Sequence, residues 1–88
     1  MRARSRMSPR LRRLSARDVL RALERFGFEV VATRGSHAKL RRVAEGGDRE
    51  TLTVPLHKEL DLGTIQAIYR QAVRFIPEAE LRPWFYSG

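Results

Sequence analysis

The chain has 88 residues, 42% of them hydrophobic and 32% charged, a composition that fits one small globular domain and excludes a disordered chain or a pair of domains. It holds no cysteine, so disulfides and thiolate metal sites are excluded. Its formal net charge is +8, but seven arginines (Arg2, Arg4, Arg6, Arg10, Arg12, Arg13 and Arg17) precede the first acid, Asp18, leaving 11 basic against 10 acidic residues after them.

The excess charge therefore reads as a flexible basic arm over residues 1–13, ahead of a nearly neutral domain over residues 14–88. Such an arm favours phosphate backbones, because each neutralised phosphate releases condensed counterions, but it does not say which polyanion is bound. No apolar run follows it as a secretory signal would require, and no stretch reaches the roughly 18 apolar residues of a membrane span. A cytoplasmic protein without a membrane partner is expected.

In "SARDVLRALERFGF" Ser15 is an N-cap with Asp18 three residues on. Val19, Leu20, Leu23 and Phe26 recur at helical spacing and Gly27 is a stop signal, which predicts a helix over 16–26. "FEVVATRG" is β-branched and predicts a strand up to a turn at Gly35-Ser36, with a second strand from His37 to Val43. "AEGGDRE" is a loop, "TLTVP" the returning strand, and Pro55 closes the ladder for want of an amide hydrogen. "DLGTIQAIYRQAVRFI" carries Ile65, Ile68, Tyr69, Ala72, Val73 and Ile76 on one helical face, with Asp61 or Thr64 as N-cap. A short last helix starts after Pro77, with Glu78 and Glu80 in its first turn, and Pro83 is expected to end it. Trp84, Phe85 and Tyr86 then trail, either packed over the helices or contributing to a partner contact. The fold class is α+β: a three-stranded antiparallel sheet with two helices on one face and a short C-terminal helix.

Side chains alternate across a strand, so Ala38 and Leu40 share one face while His37, Lys39 and Arg41 share the other. Leu52 and Val54 alternate with Thr51 and Thr53 in the same way. If the helices cover the apolar face, His37 stands on the open one in line with two cations. That pattern suits a phosphodiester, although a basic strand face is more often only solvated. His57, between the last strand and the second long helix, reads as a loop-anchoring hydrogen-bonder, and two histidines without a third ligand make a poor metal site. No metal and no cofactor are expected.

The helix ending in "GFEVV", the "RGSHAKLRR" at the first strand turn and the "VPLHKELDLGTIQAIYRQA" run together resemble the HicA family of toxins from toxin–antitoxin modules. The resemblance runs from about Leu14 to Leu81, leaving "MRARSR" and the "PWFY" ending outside it. It implies a fold similar to a double-stranded RNA-binding domain, ribosome-independent endonuclease activity on mRNA, and a HicB-type antitoxin partner covering the His37 face. It also implies that His37 is the catalytic histidine, presented by Gly35 and Ser36, and that His57 is a second family histidine that helps shape the site.

RNA carries its own nucleophile, the 2′-hydroxyl, whereas DNA lacks it and would be spared cleavage; no direct DNA binding is expected of this chain alone. A histidine, with an unperturbed pKa near 6.5, suits the two proton steps. Lys39 and Arg41 are placed to neutralise developing phosphate charge. The second proton carrier is left open among Lys39, His57 and water. Arg34, Lys39, Arg41 and Arg42 are the candidate RNA-binding residues. The rival reading is a non-catalytic module that binds double-stranded RNA by shape, with His37 touching phosphate only.

Overall fold

The computed structural model of the protein describes residues 10–87, so the tip of the basic arm lies outside the described residues. The elements run β1 (Arg10–Leu11), α1 (Ala16–Glu24), β2 (Glu29–Arg34), β3 (His37–Val43), β4 (Arg49–Pro55), α2 (Leu62–Ala72), α3 (Glu78–Phe85) and β5 (Tyr86–Ser87). Both ends of α1 follow from the sequence. Ser15 and Asp18 form a reciprocal capping box, the Ser15 hydroxyl accepting from the Asp18 amide at 3.1 Å and the Asp18 carboxylate from the Ser15 amide at 3.0 Å. At the other end the amides of Gly27 and Phe28 donate back to the carbonyls of Glu24 and Leu23, a Schellman closure that needs the left-handed backbone of Gly27 at φ 93°. The helix thus stops at Glu24, two residues before the apolar periodicity ends.

β2, β3 and β4 form an antiparallel sheet in that order, and α1 and α2 both pack against β4. The α+β class and the two-layer arrangement expected from the sequence are the ones observed. Ala38 and Leu40 of β3 and Leu52 and Val54 of β4 are buried under the helices with Val19, Leu23, Ile65 and Ile68. Because the helices sit toward β4, all six residues of β2 are exposed, Val30 and Val31 included. Val31 is the extra residue of a β-bulge, since Val30 faces Leu40 and Ala32 faces Lys39. An edge strand interrupted in this way is a poor template for pairing with another chain.

Of the two candidate caps for α2, Asp61 holds the position, its carboxylate accepting from the Thr64 amide at 2.8 Å. Ile76, assigned to that helix by periodicity, lies beyond its end but is still buried.

The expectation that Pro83 ends the last helix is corrected: Pro83 lies inside α3, which runs on to Phe85. A proline there costs a helical bond and crowds the preceding turn, about 3 kcal/mol. Leu81 and Phe85 are both 0% exposed, and burying each returns about 1.5–3 kcal/mol, enough to carry the helix through. Trp84 and Phe85 therefore do not trail. Tyr86 stacks edge-on against Tyr69 at 5.2 Å and pairs with Leu11, bringing the two chain ends together as the strands β1 and β5. Arg12, read as part of the arm, donates its amide to the Phe85 carbonyl at 2.7 Å and its guanidinium to the Pro83 carbonyl at 3.3 Å.

Candidate active site

The β2–β3 hairpin turns through two residues, Gly35 and Ser36, between the paired Arg34 and His37. Gly35 takes φ 53°, the left-handed region that two-residue hairpin turns require and that a side chain disfavours. The turn is fixed from the other side of the sheet as well, because the Leu56 amide donates to the Ser36 carbonyl. His37 follows directly and is matched in register with Pro55, the last residue of β4. Its backbone is thus held at one corner of the sheet by both neighbouring strands.

His37, Lys39 and Arg34 are exposed together, as alternation and register require. Arg41 lies on the same face, half-buried, with an Nε that is shielded from solvent and meets no acceptor among the described residues. Arg42 is different. It projects to the helix side of the sheet, where its Nε donates to the Glu50 carboxylate at 2.7 Å, one terminal nitrogen to the Phe26 carbonyl at 2.8 Å and the other to the Phe75 carbonyl at 2.7 Å. Its guanidinium also lies 4.8 Å from the centre of the Phe28 ring. An arginine engaged at all three nitrogens ties the end of α1 to the segment after α2, and it leaves the group of candidate RNA-binding residues.

Two hollows meet at His37. One, of about 490 Å³, is lined by Ala32, Arg34, Lys39 and Thr53 beside the histidine and is cationic. The other, of about 390 Å³, lies between the end of β4 and α2 and is lined by Thr53, Pro55, Asp61, Thr64, Ala67, Ile68 and Gln71. His37 and Thr53 line both. The α2 residues at 64, 67, 68 and 71 are one helical stripe, adjoining the apolar stripe that faces the core.

His57 is exposed and follows Leu56, whose amide donates to the Ser36 carbonyl next to His37, although it lines neither hollow. Its backbone carbonyl accepts the Ala16 amide at 3.2 Å and helps satisfy the start of α1. Asp61 is held below the usual carboxylate range by the hydrogen bond from the Thr64 amide. Among the described residues, no three His, Cys, Asp or Glu side chains cluster as a metal site would need.

Sequence reading missed the α2 wall of the second hollow. Thr53 was legible, since it alternates with the buried Leu52 and Val54; the contribution of α2 was not, because nothing local records which stripe of a helix flanks a sheet.

The family described as "HicA toxin of bacterial toxin-antitoxin" matches the chain over residues 16–73, which includes the hairpin, His37 and both walls of the second hollow. The chain belongs to the HicA toxin family. As a HicA toxin it is one half of a toxin–antitoxin module and has an antitoxin as its partner. The match stops before α3, so Trp84 and the β1–β5 pair lie outside the shared region. No curated protein and no solved structure matches the chain. No helix among the described residues is long and apolar enough to cross a membrane.

Proposed function

We propose that this HicA toxin is an endoribonuclease that cleaves mRNA independently of the ribosome, with His37 as its proton-transferring group. The observation that carries the reading is the position of His37, exposed directly after a two-residue turn at the border between a cationic hollow and a mostly neutral one. Phosphate and base of one nucleotide could be held on opposite sides of the imidazole.

In the reaction the 2′-hydroxyl loses its proton, its oxygen attacks the adjacent phosphorus, and the bond to the 5′-oxygen breaks as that oxygen gains a proton. The products are a 2′,3′-cyclic phosphate and a 5′-hydroxyl end. His37 takes or gives one of those protons. Arg34 and Lys39 face the same hollow and would neutralise the charge that builds on the phosphoryl oxygens. The second proton would be carried by Lys39, His57 or water. A HicB-type antitoxin would silence the toxin by covering this face.

The test is cleavage of single-stranded RNA by the purified chain, without ribosomes and in the presence of EDTA, beside His37→Ala. Cleavage by the wild type, reduced about 10²–10⁴-fold in a variant with unchanged circular dichroism, is the expected result. Intact RNA that is nevertheless bound, more weakly by the variant, would instead favour a non-catalytic RNA-binding module.

A further inference from the structure

The hollow between β4 and α2 differs in chemistry from the cationic one, and the difference points to a second role at the site. Its walls combine three apolar surfaces, Pro55, Ala67 and Ile68, with the hydroxyls of Thr53 and Thr64 and the carboxamide of Gln71. Among the described residues it is lined by no lysine or arginine, and Asp61 is the acid in its wall. A phosphate is disfavoured there and accommodated on the other side of His37, beside Arg34 and Lys39. At about 390 Å³ the hollow falls within the range of roughly 300–1,000 Å³ typical of small-ligand clefts. Proteins read single-stranded RNA by drawing unstacked bases into such places, with apolar walls against the ring and neutral hydrogen-bonding groups at its edge.

We propose that the hollow walled by Pro55, Ala67, Ile68 and Gln71 receives the unpaired base next to the phosphate held at His37, and that Gln71 sets which base is accepted. This rests on the RNA-cleaving reading above and adds a base-selecting subsite to it. A carboxamide offers a donor and an acceptor side by side, so it discriminates among base edges by which of the two each edge matches. Thr64 adds a hydroxyl two turns away on the same stripe. Its own amide is occupied by Asp61, which fixes the start of α2 against the hollow. Ala67 matters by its size: it is exposed at the wall, and a larger side chain there fills the space a base would take.

The test sequences every cut end in one digest of a mixed single-stranded RNA by the full chain, by Gln71→Leu and by Ala67→Phe. The readout is the ratio of cutting among the four bases at each position beside the cut, which is independent of how much of each variant is active. The wild type is expected to favour one base about ten- to a hundredfold, as one well-placed bidentate contact would supply, and Gln71→Leu to flatten that ratio. Ala67→Phe is expected to lower cutting at the favoured base most. An unchanged preference in both variants would overturn the base subsite while leaving the nuclease reading in place.

A second measurement separates the two ideas if RNA is not cut at all. The four nucleoside 3′-monophosphates are titrated into the folded chain while the Gln71 side-chain amide and the Thr64 amide are followed by NMR. Shifts at those groups that differ among the bases and vanish in Ala67→Phe support the subsite. Identical shifts for all four bases, or none, overturn it.

Discussion

The two faces of β3 take the same kind of residue and use it in opposite ways. On the open face His37 is solvent-exposed with Lys39 and Arg34, whose positive charges are available to a ligand. On the helix face Arg42 is only partly exposed and is held by Glu50 and the carbonyls of Phe26 and Phe75. Arg41 and Arg42 are adjacent in the chain, yet the pleat sends one to the open face of the sheet and the other into the scaffold. A run of arginines is therefore a poor measure of nucleic-acid affinity until each guanidinium's own partners have been counted.

The sharpest way to break this comparison is to remove the two arginines separately. Arg42→Ala leaves the Glu50 carboxylate and two carbonyls without their donor and should destabilise the fold by about 2–4 kcal/mol, read as a lower urea midpoint with an unchanged slope. Arg41→Ala should shift stability by about 0.5 kcal/mol or less, as a substitution on the open face does, and should weaken RNA binding instead. If Arg42→Ala weakened RNA binding while the urea midpoint stayed put, the division of labour between the two faces would be wrong.

A smaller effect is expected at the turn that joins the faces. Gly35→Ala has open space for its new methyl group, so its cost is conformational alone: about 1–2 kcal/mol for a left-handed backbone. Cleavage should fall with it, because the turn aims His37. A variant with lower stability and full cleavage would show that the turn serves folding only.

A further modest effect belongs to the α1 cap, far from the open face in function. Hydrogen bonds from the Ser15 amide and then from the Ser15 side chain hold the Asp18 carboxyl below its usual range. A depressed folded value means that this contribution is complete above the ordinary value of 3.8 and is lost as the pH falls through the folded one. Ser15→Ala should cost about 1 kcal/mol at neutral pH, and thermal melts of Asp18→Ala and wild type, apart at neutral pH, should converge as the medium is acidified. Melts that stay a fixed distance apart down to low pH would remove Asp18 from the account.

Much of this molecule was written in local patterns. Period-two alternation in "HAKLRRV" and "TLTVP" put His37, Lys39 and Thr53 on one face and Leu40, Leu52 and Val54 on the other, because strand geometry leaves no other choice once one face is apolar. The α1 cap and the Gly35 turn were equally legible, since each depends on residues at most three apart. What the sequence could not supply were decisions made over long distances: that Phe85 and Leu81 would draw a helix through Pro83, that Arg10 and Leu11 would pair with the far end of the chain, that Arg42 would find carbonyls 16 and 33 residues away, and that one stripe of α2 would stand beside His37. These contacts depend on how the helices settle on the sheet. That is fixed by the fit of the whole core, which no local window of sequence contains.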